Sequence, residues 1–403
     1  MKIFISIRHT ARSSQNTGIQ RVVRGLTRYA VLDSRVQLVE WRNWKGAFFE
    51  PMPLISKGMA QFGGPRTENT PRWLPLPKTW KEIKNWILFL GQRRQIPLQK
   101  NPIYRREKGW LLLPELMDAA MMREAIDYGR SMDLKVAVIL YDCIAYFHPE
   151  WVSPKIRENH RGYLQALADS DLVLSISKTS AIEYEHFLNE EKRTGAPVRD
   201  VYLAEEYLGI ARGKELGFSE NRCSKRWKIL YVSTLDPRKN HLRLLQAFQR
   251  LSEERSDLDW ELTLVGHPYE GAEEISQAVV HATQANPRIR WRQGLDDGAL
   301  ASLYEECDFT VFPSLGEGFG LPIAESLWRG RPCLCSEIGS MHEIAEKGGC
   351  LEIDPQRVES ITTGLIQMMT DSDLQENLTS QLKHREFKTW ERYAGEILAL
   401  LPG

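Results

Sequence analysis

Short apolar runs alternate with amphipathic stretches along most of this chain. KIFISI (2–7) has the composition of a buried strand, and IQRVVRGLTRYA (19–30) carries apolar residues at 19, 22, 23 and 26, the spacing of one helix face. WLLL (110–113), KVAVIL (135–140) and DLVLSIS (171–177) repeat the strand pattern, with helical patterns near 117–130, 155–168 and 178–188. The alternation restarts at WKILYVS (227–233) and runs on through ELTLVG (261–266), RIRW (288–291), FTVF (309–312) and PCLC (332–335). Strands that alternate with helices build parallel sheets covered on both faces. Two such series predict an α/β chain of two doubly wound domains rather than one closed barrel. The polar break ARGKELGFSENRCSKR (211–226) divides them, so we expect a first domain over 1–215 and a second over 216–385.

Residues 46–109 depart from the alternation and read as a long excursion from the first sheet. Within them, 72–108 holds ten basic and two acidic residues, with Trp73, Trp80 and Trp86 interleaved. The chain of 403 residues balances 53 basic against 53 acidic side chains, but unevenly. Residues 1–200 carry 31 basic and 21 acidic, and residues 201–403 carry 22 and 32. A chain-wide nucleic-acid binder would be basic throughout, so no nucleic acid is expected. Halves of opposite sign point instead to two domains with different partners. The basic, Trp-bearing stretch has two readings. One is a solvated charged face. The other is a segment on an anionic membrane surface, where indoles sit at headgroup depth and each cation contributes about 1 kcal/mol.

Six cysteines are too sparse for a disulfide framework, and Cys333 and Cys335 sit in an apolar run as buried thiols. No Cys/His spacing matches structural zinc, so no metal site is expected. The apolar run at the start is too short for a signal peptide. WILFL (86–90) is about a quarter of the ~20 residues that a spanning helix needs. A cytoplasmic protein is expected, peripheral at most on the inner face of the cell membrane.

The stretch richest in chemistry is SLGEGFGLPIAESLWRG (314–330), a strand–loop–helix turn after FTVFP. Gly316, Gly318 and Gly320 let the backbone approach a ligand and offer amide donors. Glu317 and Glu325 stand eight apart, one in the loop and one about a turn into the helix. A helix start favours anions. Carboxylates there serve something other than phosphate, such as the hydroxyls of two sugar rings held side by side.

This stretch resembles the E-x7-E signature of the retaining family 4 glycosyltransferases, which have the GT-B fold of two Rossmann-like domains facing a central cleft. LYVSTLDPRKNHLRLLQAF (230–248) is similar to the element in which an Arg and a Lys hold the donor's diphosphate. The resemblance implies that Arg238 and Lys239 stabilise the leaving diphosphate, Glu325 holds the ribose and Glu317 the transferred sugar. Gly318, Phe319, Gly320 and Leu321 line the donor, and Leu295 sits near the base. It also implies that the segment TWERYAGEILALL, within 386–403, is a closing helix packing back toward the first domain. His342, where the family more often has proline, reads as a surface helix residue.

The first half matches more loosely. QNTGIQRVVRGL (15–26) resembles the family's first strand–helix loop, with Thr17 and Gly18 in place of a glycine pair. Gly18 would approach the donor and Thr17 the acceptor sugar. ILYDCIAYFHPEW (139–151) is similar to a segment usually written His-Asp; here Tyr141 replaces the His and Asp142 is kept. Tyr141 either signals a different sugar, such as a 6-deoxy one, or fills the same space with no change of specificity. Asp142 is the acceptor-binding candidate, with His148 a further sugar-binding or loop-capping residue. Ser177 and Lys178 would face the cleft.

The chain thus resembles bacterial surface-polysaccharide mannosyl- or rhamnosyltransferases, metal-independent and retaining. The implied partners are a nucleotide-sugar co-substrate, GDP-mannose or dTDP-rhamnose, and a lipid-linked saccharide acceptor, with no other cofactor. The rivals are another GT-B sugar-nucleotide enzyme (an epimerase or a phosphorylase) and a non-catalytic paralogue.

Overall fold

The computed structural model describes residues 1–12, 17–42, 47–49, 108–214, 216–218, 226–269 and 271–402. Its described strands form two separate sheets. The first comprises β1 (Lys2–Ser6), β2 (Val36–Arg42), β3 (Ala47–Phe49), β4 (Gly109–Leu113), β5 (Leu134–Leu140), β6 (Leu172–Ser175) and β7 (Val198–Asp200), in the order β3-β2-β1-β4-β5-β6-β7. Its pairings are parallel except for β3, which runs antiparallel to β2. The second comprises β8 (Trp227–Val232), β9 (Trp260–Val265), β10 (Ile289–Arg292), β11 (Phe309–Phe312), β12 (Cys333–Ser336) and β13 (Cys350–Ile353), all parallel, in the order β10-β9-β8-β11-β12-β13.

Helices follow most strands. In the first domain they are α1 (Arg8–Arg12), α2 (Gly18–Ala30), α3 (Ala119–Ser131), α4 (Ile144–Phe147), α5 (Pro154–Leu167) and α6 (Lys178–Glu190). In the second they are α7 (His241–Glu254), α8 (Glu273–Ala285), α9 (Asp297–Glu306), α10 (Leu321–Trp328), α11 (Gly339–Ala345), α12 (Val358–Thr370) and α13 (Ser372–His384). The last helix is α14 (Trp390–Ala399). Local chemistry starts several of them. Asp118, Ser153, Ser177, Asp296 and Thr389 each accept a backbone N–H of the first turn that has no intrahelical partner.

Each central strand is buried on both faces. In LKVAVIL of β5 all but Lys135 are buried, which is why the run reads as continuously apolar. The strands that the apolar pattern does not single out are β2, β3, β7 and β13. VQLVEWR of β2 interleaves Gln37 and Glu40 among apolar residues, and Glu40 is nevertheless buried. The edge strands β7 (VRD) and β13 (CLEI) are partly exposed and carry charge.

Both sheets reverse direction beside their first strand, between β1 and β4 and between β8 and β11. An open α/β sheet binds ligand outside the carboxyl ends of its strands at such a switch point. In the second sheet this places the loop after β8 (233–240) beside the loop after β11 (313–320).

The chain crosses between the domains twice. On its outward path, Gly213 N donates to Trp328 O at 3.0 Å and Trp328 Nε1 donates to Ile210 O at 2.8 Å, so residues 210–213 already lie on the second domain. On its return, α14 packs on α2 of the first domain. The buried carboxylate of Glu205 joins the two crossings, accepting from Arg385 Nη2 at 2.5 Å and Lys388 N at 3.3 Å.

Most of the expected basic excursion, including Trp73, Trp80 and Trp86, lies outside the described residues. Among the described residues no helix is long and apolar enough to cross a membrane. Cys333 and Cys335 are buried free thiols.

Candidate active site

The loop after β8 folds as a short 3-10 turn over Pro237–Lys239. Asp236 caps it, accepting from Arg238 N at 3.0 Å, and Asn240 ends it in the left-handed conformation at φ 65°. The Asn240 amide donates to Pro313 O at 2.9 Å and Pro355 O at 2.7 Å, fastening the turn to the loop after β11. Leu315 N donates to Arg238 O at 2.7 Å, and Ser314 Oγ lies 3.1 Å from the same oxygen. The two loops therefore form one unit.

At its centre is Glu317. Its Oε2 accepts from Arg238 Nη1 at 2.9 Å, and its Oε1 accepts from Ser314 Oγ at 2.7 Å and from Lys239 Nζ. Burial alone would raise the Glu317 carboxyl; the charges of Lys239 and Arg238, with their hydrogen bonds, overcome this and hold it at about 2. Burial also opposes the Arg238 charge, but Glu317, Asp236 and Asp142 outweigh it and raise the guanidinium above its ordinary value. For Lys239, only 7% exposed, burial lowers the ammonium against the pull of Glu317. His241, at the start of α7, is driven down to about 3 by burial and by Lys239, so it is neutral; its Nε2 lies 3.2 Å from Ser233 Oγ.

The glycines matter through close approach. A Cβ on Gly318 would stand 2.2 Å from the backbone oxygen of Tyr141 and 3.2 Å from Asp142 Cβ, so the loop lies directly against the first domain. Gly320 has φ +112°, a conformation that side chains disfavour, where it turns the chain into α10. A Cβ on Gly316 would lie 3.1 Å from the ring of Trp151, itself stacked on His148 with centroids 4.0 Å apart.

Glu325, on α10 and only 4% exposed, meets Tyr304, whose hydroxyl donates to Oε2 at 3.2 Å. Its Oε1 pairs with Arg21 Nη1 from α2 of the first domain. Burial raises this carboxyl, with Arg21 and Tyr304 opposing. Gly18 faces the same region, since a Cβ there would touch Leu321 Cδ1 at 3.5 Å. Thr17 begins α2, its N–H donating to Gln20 Oε1 at 3.0 Å.

Asp142 is half-buried at the end of β5 and accepts from Ile144 N at 3.1 Å. Beside it, burial and the Asp142 charge push Glu183 up to about 7 against a hydrogen bond from Cys143 N. Leu295 is half-buried against the cluster of Tyr207, Leu230, Val265, Leu300, Tyr304 and Cys307. Ser177 caps α6. Lys178 and Thr179 donate their backbone N–H groups to Glu343 of the second domain, at 3.0 and 2.7 Å.

Two expected side chains point elsewhere. The Tyr141 phenol is buried and donates to Pro114 O at 2.5 Å, so its hydroxyl is bonded inside the first domain; the residue meets the cleft through its backbone. Phe319 buries its ring edge-on against Tyr202, centroids 5.0 Å apart, and only its backbone belongs to the loop surface. His342 lies on the surface, Nδ1 2.7 Å from Glu352. The structure brings Glu317, Arg238 and Lys239 together opposite Asp142, with Glu325 nearer Leu321 and Gly18. Sequence spacing missed Ser314, Arg21, Trp151, Tyr304 and Glu183; Ser314, Arg21 and Trp151 lie inside the segments 314–330, 15–26 and 139–151 already singled out, but nothing in the spacing marked them as site residues.

Residues 214–385 match the family model described as glycosyl transferases group 1. The serotype-specific mannosyltransferase WbdA of Escherichia coli is 26% identical over 246 residues, 59% of this chain and 29% of that protein. O-antigen chain mannosyltransferase B of Escherichia coli is 29% identical over 259 residues, 63% of this chain and 65% of that one. The alignments therefore span less than two thirds of either relative. Among solved structures, sucrose-phosphate synthase from Thermosynechococcus elongatus superposes with a TM-score of 0.65 at 16% identity, over 99% of this chain and 98% of that one. Anabaena HepE in complex with UDP-glucose gives 0.62 at 14% identity over all of both chains. The segment that carries Arg238, Lys239, Glu317 and Glu325 is a domain of the glycosyl transferases group 1 family, within a chain of GT-B fold.

Proposed function

We propose that the protein is a retaining glycosyltransferase that moves a hexose, mannose before rhamnose, from a nucleotide-sugar to a saccharide acceptor in surface-polysaccharide synthesis. The observation that carries this reading is the Glu317 carboxylate clamped between Arg238 and Lys239 at the switch point of the second sheet, facing Asp142. Two cations held at one spot are what a departing diphosphate needs, and a buried, preorganised pair stabilises that charge more than water does. They supply positive charge that a divalent cation would otherwise bring, hence a metal-independent enzyme.

In this reading Arg238 and Lys239 turn from Glu317 toward the diphosphate oxygens as the bond from sugar C1 to phosphate oxygen breaks. Glu317, kept ionised, accepts hydrogen bonds from the sugar's hydroxyls, and Glu325 does so for the ribose. The acceptor hydroxyl, received at Asp142, bonds to C1 on the face that the diphosphate leaves, and its proton passes to a diphosphate oxygen. GDP-mannose is the first donor to try and dTDP-rhamnose the second. The mannosyltransferase relatives favour mannose, and the buried Tyr141 hydroxyl gives no specific ground for a 6-deoxy sugar. The acceptor is a lipid-linked saccharide, reached from the inner face of the cell membrane with 72–108 on the lipid.

The test is incubation with GDP-mannose, dTDP-rhamnose and UDP-glucose, paired with thermal shifts in GDP, UDP and dTDP, because a bound nucleotide raises the melting temperature by mass action. Sugar transfer with release of one nucleoside diphosphate supports the reading. Binding without turnover across a saccharide panel assigns the chain to non-catalytic binding, and no shift with any nucleotide sinks the donor site.

A further inference from the structure

Arg21 is rooted in α2 of the first domain, yet its guanidinium ends in the second. Nη1 bonds Glu325 Oε1, Nη2 lies 3.6 Å from Asp297 Oδ1, and Cζ stands 5.4 Å from the centre of the Tyr207 ring. The other Glu325 oxygen accepts from Tyr304. Both oxygens of this carboxylate are thus bonded to protein. The space beside them, between Arg21, Tyr207, Leu321, Glu325 and Trp390, is a cavity of about 20 Å³. That is room for a single water. Ribose hydroxyls that bond Glu325 Oε1 would do so in competition with Arg21.

We propose that Arg21 is a donor-site residue supplied by the acceptor domain: it holds Glu325 across the cleft in the free enzyme and gives way to the ribose hydroxyls. Nucleotide entry and release of this bond between the domains are then one event. The inference rests on Glu325 as the ribose-binding group. Asp297 makes the exchange feasible, because a guanidinium leaving Glu325 keeps a carboxylate within reach and is not stranded in a buried site. A bond present only in the ligand-free form is subtracted from ligand affinity, so removing it tightens binding. It tightens binding only for ligands that engage Glu325.

The experiment is calorimetric titration of the full chain with GDP and UDP and with their 2′,3′-dideoxy analogues, in wild type, Arg21→Gln and Arg21→Lys. Arg21→Gln is expected to bind the ribose-bearing nucleotide about tenfold more tightly, an ordinary coupling magnitude, and the dideoxy analogue as wild type does. Arg21→Lys, which keeps the charge but loses the fork, is expected to fall between and stands in if Arg21→Gln does not fold. Unchanged or weaker binding in both variants, or equal tightening for both kinds of ligand, overturns the proposal while leaving the donor site intact. A wild type that binds neither GDP nor UDP overturns the donor-site reading and this inference with it.

Discussion

The indole of Trp390 lies flat against the bare backbone of Gly25. A Cβ on Gly25 would stand 2.3 Å from two carbons of that ring, so α14 can seat on α2 only where this helix has no side chain. Trp390 is held in place by its own bonds, N to Glu206 Oε2 at 3.0 Å and Nε1 to Glu206 O at 2.9 Å, and is fully buried. The ring therefore has no easy retreat. Gly25→Ala should destabilise the protein by ~1–3 kcal/mol through overpacking, although alanine is the better helix former. Urea unfolding measures this; a stabilised variant would mean that α14 docks differently.

Arg238 and Glu317 should separate activity from stability. Arg238→Ala removes half of the proposed diphosphate clamp and should lower kcat about 100- to 1,000-fold. It leaves Glu317 paired with Lys239 and strands no buried charge, so its stability cost should be smaller than that of Glu317→Gln. Glu317→Gln strands the buried Lys239 ammonium and should cost about 3 kcal/mol as well as activity. Steady-state kinetics together with denaturant melts check both halves. Equal stability costs would contradict the buried-pair geometry.

Gly318→Ala should damage the site without touching a charge. The added methyl meets the Tyr141 carbonyl, which is backbone and cannot swing aside. Either the glycine loop or the β5–α4 loop must move, pulling Glu317 away from Asp142. At least a tenfold fall in kcat/KM is expected, in line with the sensitivity of catalysis to misplacement of about 1 Å. Gly395→Ala, where a Cβ would meet nothing and φ is not positive, is the control for an added methyl without a clash.

Tyr141→Phe tests whether this residue reads the sugar. Its hydroxyl donates to Pro114 inside the domain, so its loss should cost about 1 kcal/mol of stability and leave the ranking of donor sugars unchanged. A switched donor preference in a competition assay would restore the phenol to the site.

Glu183 gives a pH dependence of definite sign. Its carboxyl is raised from 4.5 to about 7 by burial and by Asp142, so the folded form holds a proton that the unfolded chain releases. Stability from this group is full below pH 4.5 and declines as pH rises from 4.5 through 7. Glu183→Gln should flatten that slope in melting temperatures measured from pH 4.5 to 7.5. An unchanged slope would place its origin in another group.

The basic stretch 72–108 is tested by flotation with vesicles. Anionic vesicles at low salt should retain the protein, and replacing its Lys and Arg residues should release it. Retention by neutral vesicles alone, or none at all, removes the membrane reading.

Much of the molecule was readable along the chain because the information is local. Buried parallel strands are apolar on both faces, so β1, β4, β5, β8, β9 and β11 announce themselves, and glycines at 316, 318 and 320 mark a loop that something approaches. Glu317, Arg238 and Lys239 were likewise recognisable, since each lies within a contiguous motif. What sequence could not decide is which groups share a space. Edge strands such as β7 and β13 are half exposed, and their mixed polarity hides them. Tyr141 sits in the right motif, but its phenol is turned inward by a carbonyl 27 residues away in sequence. Arg21 and Glu325 stand 304 residues apart, and nothing in the spacing of either joins them. They meet because α2 of the first domain and α10 of the second are brought together across the cleft, a packing that only the tertiary structure sets.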